Sequence, residues 1–546
     1  MSRIRSAKLA IAGFLAAGIC PLLAGQPYPI HGTFLNFYRN LTPELWALEF
    51  QHMKALDITT LVIAPVGHLR ADPGDPSGYS LAPDGLRYPS NFVSASERPK
   101  TDLLEMMLSL ADQQGMQVYL GSLETAADWS GGTEFVALRT HNKRVAAEIV
   151  QRYGRHRSFA GWYFTPEIWM NWAKYYGAAY YGTTLLANWV ADMKSLDAAK
   201  LTTVAVVFKK TGWGGMPGLT ARELETVTAS FLETTRVDIL MPQDGIGAQE
   251  GAPALDDLAS YFRAMWQATQ AARAAGTNTA LWSTIETFTA DAHLSNEHFP
   301  PATISRIQRQ VDRVSPYVSG YMSWIFGDNM SPQAAYYPVE ASDLNRQYQF
   351  AFKPRTAPVS EILPLASYRL SLPASGSYPD PDLQKLRDRT GGGYSGSGLS
   401  SWVGFANNDC EEKSLQITGD LGGTKSIHAV RALTQSQTSS GIFRPSQIDV
   451  EVSRDGLNWI PFGTTNSFPP DTADFAVMWG EVPGSATARY VRWTFRYRSW
   501  LFLAELEAIG LARLDSNEPR SVRHLREFQD RSLRSRIAVL PLRAFR

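Results

Sequence analysis

Between residues 30 and 350 the chain switches hydrophobic period again and again, and that alternation leaves few folds open. Short runs of β-branched and aromatic residues at 30–34, 59–64, 117–123, 161–167, 202–208, 237–242, 279–285 and 317–324 read as strands. Helical periods follow them at 43–56, 102–114, 134–153, 183–196, 221–234, 255–275, 304–314 and 332–350. Thr42 sits where an N-cap opens the first helix, and Gly115 where a C-terminal glycine stops the next. Eight strands, each trailed by a helix over some 320 residues, predict an α/β TIM (β/α)8 barrel with long βα loops.

Past residue 357 the helical period disappears. A Pro-containing stretch runs to 365, and short strands are then expected at 414–421, 426–433, 446–453, 489–495 and 503–509. Turn residues such as Gly422-Gly423 and Asp455-Gly456 separate them. This predicts a C-terminal antiparallel β-sandwich. The organisation expected is a signal peptide at 1–25, the barrel at 28–350, a linker at 351–365, the sandwich at 366–511 and a basic tail at 512–546.

At 546 residues the chain is too long for one ordinary core, in keeping with two folded units. Its 52 Lys+Arg balance its 52 Asp+Glu, which gives no support to a nucleic-acid partner. Arg3, Arg5 and Lys8 precede an apolar run from Leu9 to Leu23 that ends at Ala24-Gly25. That run has the shape of a secretory signal and is short for a membrane-spanning helix. The expectation is therefore an exported protein, periplasmic or extracellular, with no transmembrane anchor once the signal is removed. Ile19 before Cys20 does not suit lipid attachment, and cleavage would leave Cys410 alone, with no intramolecular disulfide. The nine Arg and four acids of 513–546 read as a solvated tail, with anionic polysaccharide or lipid as the alternative role.

Two of the expected strands end on a carboxylate. Glu167 closes an aromatic run that contains Tyr163 and Pro166 and is followed by Trp169 and Trp172; Glu286 closes the run containing Trp282. These are strands four and seven, whose C-terminal ends would share the barrel mouth. A pair of carboxylates at that place is what glycosidic cleavage requires: one protonates the leaving oxygen while the other faces the anomeric carbon. The apolar surroundings of Glu167 suit the general acid/base, leaving Glu286 as nucleophile. A helix cap or an Arg partner is the alternative role for either one. Glu124, Gln243 and Asp244, with Asp328 and Asn329, follow other strand ends and are candidates for sugar hydroxyls. Tyr163, Trp169, Trp282 and Trp324 are candidate substrate contacts; Trp282 and Trp324 would either floor a sugar subsite or fill the barrel core. His31 and His68 lack partners at metal-ligand spacing, and neither a phosphate-binding Gly-rich loop nor a G-x-S-x-G elbow is present. No cofactor is expected for catalysis.

The runs Gly32-Thr33-Phe34, Met53-Lys54-Ala55-Leu56 near Trp46, Thr60-Leu61-Val62-Ile63, Trp162-Tyr163 with Glu167, and Asp238-Ile239-Leu240 with Pro242-Gln243-Asp244-Gly245 resemble bacterial glycosidase-like barrels of unassigned function. The likeness covers about 28–350. Those barrels stand near a large retaining-glycosidase superfamily whose catalytic Glu residues lie on strands four and seven. In that superfamily an Asn precedes the acid/base; here Pro166 takes its place. Over 366–511, Tyr378-Pro379-Asp380, Lys385-Leu386-Arg387-Asp388, Trp402-Val403-Gly404-Phe405, Asp420-Leu421-Gly422, Val452-Ser453 with Asp455-Gly456 and Trp459, Ala488-Arg489-Tyr490-Val491-Arg492, and Glu505-Leu506-Glu507 resemble the discoidin, or coagulation-factor type C (galactose-binding-like), pattern. That resemblance implies a carbohydrate-binding jelly roll. It also implies a structural calcium, with Asp388 and Glu507 at acidic positions near the ion, although Arg389 stands where a Gly is usual. Two functions follow. One is a retaining glycoside hydrolase acting on a polysaccharide or oligosaccharide, a bacterial exopolysaccharide among the candidates. The other is a non-catalytic polysaccharide-binding or exopolysaccharide-assembly protein with a degenerate barrel.

Overall fold

The computed structural model describes residues 29–35, 41–125, 133–177, 180–212, 215–248, 251–290, 299–352, 359–389, 392–393, 401–407 and 411–512. The expected signal peptide, the basic tail and Cys410 lie outside them. Eight parallel strands close a barrel in sequence order: β1 (Gly32–Leu35), β2 (Thr60–Ile63), β3 (Gln117–Gly121), β4 (Phe159–Trp169), β5 (Leu201–Val207), β6 (Ile239–Pro242), β7 (Ala280–Glu286) and β8 (Gly320–Trp324). Closure runs through Gly32, which pairs with Thr60 on one side and Met322 on the other.

Around the strands run α1 (Pro43–Ala55), α2 (Leu103–Gln114), α3 (Thr133–Tyr153), the short α4 (Met170–Tyr176), α5 (Tyr181–Leu196), α6 (Ala221–Thr235), α7 (Leu258–Ala274), α8 (Ile304–Val314) and α9 (Pro338–Phe352). Their starts follow local chemistry. Thr42, Asp102, Thr220 and Thr303 each accept a backbone N–H of the first turn, and Thr220 with Glu223 forms a reciprocal capping box. Gly115, at φ 66°, ends α2 in the left-handed conformation that glycine adopts without strain. No helix among the described residues is long and apolar enough to cross a membrane.

The barrel interior is filled by Phe34, Val62, Tyr119, Tyr163, Ala205, Ile239, Met241, Trp282 and Met322. Such large side chains need small partners. A Cβ on Gly32 would lie 2.2 Å from the Met322 sulfur, and one on Gly320 would lie 2.8 Å from the Trp282 ring. A larger cluster, including Trp162, Phe164 and Trp189, packs the outer faces of the strands against the helices.

β4 departs from expectation. Instead of turning at Glu167, the strand runs on to Trp169. Phe164 pairs with Val204 and Ile168 with Val206, so four steps on β4 span two on β5. Thr165, Pro166 and Glu167 face the single Ala205, and this stretch, two residues too long, bulges from the ladder, where the missing N–H of Pro166 costs no strand pairing. Thr165 ties the bulge to the end of β3, its N–H and hydroxyl bonding the Ser122 hydroxyl (3.0 Å) and carbonyl (2.9 Å). Glu167 therefore stands on a pinned bulge.

The C-terminal unit is an antiparallel β-sandwich of β9 (Val359–Leu363), β10 (Ser367–Leu370), β11 (Val403–Phe405), β12 (Lys413–Ser436), β13 (Gln447–Ser453), β14 (Ile460–Thr465), β15 (Ala476–Tyr497) and β16 (Leu501–Ala512). Leu415, Ile417, Val450, Trp493 and Phe495 lie in its core. Gly422-Gly423, expected as a turn, is an irregularity inside the long strand β12, where pairing with β15 shifts between Asp420 and Lys425. Residues 359–363, expected within the linker, pair with β16 as β9. Val339 of α9 is buried among Trp402, Leu433, Val477, Trp479 and Phe502, joining barrel and sandwich.

Candidate active site

Glu167 keeps part of its surface open, and its Oε1 accepts a 2.9 Å hydrogen bond from Gln243 Nε2, just past β6. Burial raises its pKa above the ordinary carboxylate value. Gln243, the Lys209 charge and the Trp169 side chain pull in the opposite direction.

Glu286, the last residue of β7, is 3% exposed. Its Oε2 accepts from the Ala248 N–H at 2.7 Å, and the Gly247 backbone also donates to it. The loop approaches this closely because residue 247 has no side chain: a Cβ there would fall 2.8 Å from the Glu286 Cβ. Burial raises the Glu286 pKa, against the backbone donors, Lys209 and Arg306.

Asp244 lies behind it with no exposed surface. Its Oδ1 accepts from the N–H groups of Ile246 (3.2 Å) and Glu286 (3.3 Å), and its Oδ2 from Gln310 Nε2 (2.6 Å). Burial and the Glu286 charge push its pKa up to about 8. The expectation that Asp244 contacts substrate is corrected: both its oxygens are engaged inside the protein, and it positions Glu286 instead.

Lys209 links the two carboxylates. It lies two residues beyond β5 and is 8% exposed. Asn171 of α4 grips its backbone, accepting its N–H (2.9 Å) and donating to its carbonyl (3.0 Å). Its Nζ stands 5.8 Å from the centre of a Trp169 ring. Its charge acts on Glu167 and on Glu286, and the chain just past β6 bonds both, through Gln243 and Ala248. The sequence reading missed Lys209, although its place just past the fifth strand was a usable signal. Asn171, Arg306 and Gln310 come from helices, where nothing in the local pattern marks them.

Trp324 pairs in register with Glu286 and rests its ring 4.8 Å from that of Phe34, half-buried at the mouth. Trp282 shares its face of β7 with Glu286 but lies four residues deeper, about 13 Å along the strand. It packs edge-on to His31 (4.9 Å) and Tyr119 (6.5 Å), which makes it barrel core. Tyr163 is likewise core, 5.3 Å from the Phe34 ring, and burial followed by the Glu167 and Glu124 charges raises its pKa. Tyr163 is not open to a substrate as expected, and of the two roles read for Trp282 the barrel-core one holds. Glu124 is half-exposed, with His68 Nδ1 3.8 Å away. Trp169 stacks on Trp172 at 6.0 Å.

In the sandwich, Glu507 is held by Arg431 at 2.6 and 2.7 Å and by Arg346 of α9 at 3.5 Å. It is thus an ion-pair partner through Oε2, while its Oε1 is buried without a hydrogen-bond partner among the described residues. Among the described residues no group of three or more His, Cys, Asp or Glu is placed to hold a metal ion.

Known structures with a similar chain course include a protein named as an alpha-L-fucosidase from Bacteroides thetaiotaomicron, 22% identical, covering 60% of this chain and 96% of that one at a TM-score of 0.49. A second B. thetaiotaomicron protein so named is 14% identical and covers 86% of this chain and 88% of its own, at 0.30. A chitosan-binding module of a Paenibacillus chitosanase/glucanase is 19% identical over 28% of this chain and 99% of its own, at 0.20. No curated protein matches the sequence. Residues 30–336, more than half of the chain, match the model of a domain of unknown function, DUF4434. The chain belongs to the DUF4434 family.

Proposed function

We propose that the chain is an exported retaining glycoside hydrolase acting on a polysaccharide, a bacterial exopolysaccharide among the candidates, with Glu167 as general acid/base and Glu286 as nucleophile. The observation that carries this reading is that the chain just past β6 holds both carboxylates at the C-terminal end of a parallel barrel, Gln243 on Glu167 and Ala248 on Glu286. In the first step Glu286 attacks the anomeric carbon while Glu167 gives its proton to the departing glycosidic oxygen. In the second, Glu167 takes a proton from water as that water attacks the anomeric carbon and releases Glu286. The surroundings suit this division of labour. Backbone donors at 247 and 248 favour the ionised form of Glu286. The two carboxylates are the reacting groups, so no cofactor is invoked. The sandwich is read as a carbohydrate-binding module of the discoidin type, and export rests on the sequence of residues 1–25.

A second reading, a polysaccharide-binding or assembly protein with an inactive barrel, is favoured by one feature, Pro166 ahead of Glu167. Reducing-end release from a panel of polysaccharides separates the two. The hydrolase reading predicts release by the wild type and none above background by Glu286→Gln. Glu167→Gln should lose about 10²–10⁴-fold on poor leaving groups and far less on activated aryl glycosides. Binding without release by folded wild-type protein would favour the second reading.

A further inference from the structure

From Glu167 the chain runs outward through Trp169 into α4, whose sequence from Met170 to Tyr176 is Met-Asn-Trp-Ala-Lys-Tyr-Tyr. Trp169 and Trp172 stack, and Trp172 meets Tyr180 edge-on at 6.3 Å, so these rings anchor the helix. At its far end Tyr175 and Tyr176 are 60% and 49% exposed. Their rings stand 5.0 Å apart at 86°, offering two faces in different directions. Helical rise puts them about 9 Å beyond the start of α4.

We propose that Tyr175 and Tyr176 form a stacking platform for a glycan chain leaving the mouth, so that the site grips a polymer beyond the sugar being cleaved. The platform presupposes that the mouth around Glu167 and Glu286 holds a sugar. Three observations favour a glycan as occupant. The patch follows the candidate acid/base closely in the chain, eight and nine residues beyond Glu167 along β4 and α4. Both exposed side chains are phenols, pairing an apolar ring face with a hydroxyl, as a sugar pairs C–H faces with hydroxyls. Among the described residues the large exposed aliphatic side chains nearest in sequence, Val136 and Leu201, lie on α3 and β5, and α4 itself exposes none of the kind a protein or lipid partner buries.

The test is native affinity electrophoresis of the full chain carrying Glu286→Gln, which prevents cutting, in gels containing xylan, alginate, dextran or glycol chitosan. At least one polymer should retard it. Adding Tyr175→Ala and Tyr176→Ala should raise the dissociation constant for that polymer about tenfold and for a disaccharide of the same sugar less than about twofold. Tyr175→Phe with Tyr176→Phe should restore most of the polymer binding. The platform is overturned by equal retardation of the Ala double variant, which is what binding through the sandwich alone gives. Equal loss on the disaccharide, or no retardation of the parent in any gel, overturns it too. Retardation that depends on the two tyrosines, with no sugar release by the wild-type chain, would instead fault the hydrolase reading and leave the platform standing.

Discussion

Glu286 at the barrel mouth and Glu507 at the seam with the sandwich are buried to the same degree, 3% and 2% exposed, yet they are held in opposite ways. Glu507 meets the Arg431 guanidinium, itself lying 3.8 Å over the Trp479 ring, and Arg346 adds a second cation from α9. Glu286 receives backbone N–H donors, with Lys209 and Arg306 acting through the field. Both keep one oxygen free of those contacts, Glu507 its buried Oε1, so the difference lies in the partner: cations fix and compensate Glu507 through Oε2, whereas neutral backbone donors hold Glu286. Burial alone therefore does not identify a reactive carboxylate; the kind of partner does.

Breaking the seam should give the larger stability effect. Arg431→Met leaves Glu507 buried against Arg346 alone, at 3.5 Å, and removing one partner of a buried pair costs about 3–5 kcal/mol. A thermal scan should show a clear drop in unfolding temperature, partly recovered by adding Glu507→Leu. An unchanged unfolding temperature would mean that Arg346 suffices and the seam is looser than its geometry.

At the mouth the expected effect depends on pH. Asp244 has an ordinary value of 3.8 and is pushed up to about 8. Between those limits the folded protein holds a proton that the unfolded chain has released, so this group's contribution to stability falls as pH rises through that window. Asp244→Asn removes the loss. Its unfolding temperature should gain on the wild type steadily from pH 4 to pH 8, and parallel curves would show that Asp244 is not protonated in the fold.

A smaller, sharper effect is expected at Lys209. Its cation lowers the pKa of both mouth carboxylates, so Lys209→Met raises both. The acid limb of the pH–rate profile follows Glu286 and the basic limb Glu167, and the whole bell should move to higher pH by about one unit. A bell that keeps its position would separate Lys209 from the chemistry.

Much of this arrangement is written locally. The strand–helix alternation and the caps at Thr42, Asp102 and Thr303 mark barrel elements closely, α8 to the residue. Failures came where partners distant in sequence decide the outcome. Pro166 looked like the end of a strand because its missing donor hurts a ladder; a bulge tied to Ser122 gives it a place without one. Ile460–Thr465 went unforeseen as a strand because it mixes exposed and half-buried residues at a sheet edge. At the site, Glu286 ends β7 as its run does in the sequence, whereas Glu167 stands on a bulge inside β4 that the sequence did not show. Nor did it show the depth of Trp282, since face and depth are separate coordinates on a strand. Asp244 looked like a loop acid open to sugar because Gln310, which covers it, comes from α8, 66 positions away.

The difference between Glu286 and Glu507 is tested most directly by covalent trapping. A 2-fluoro glycoside of the sugar that the wild type releases slows the second step and leaves the glycosyl ester on the nucleophile. Peptide mapping of the labelled full-length chain should find one sugar on Glu286 and none on Glu507, and Glu286→Gln should take up no label. A label on any other residue, or labelling that persists in Glu286→Gln, would contradict the assignment of the mouth carboxylate as nucleophile.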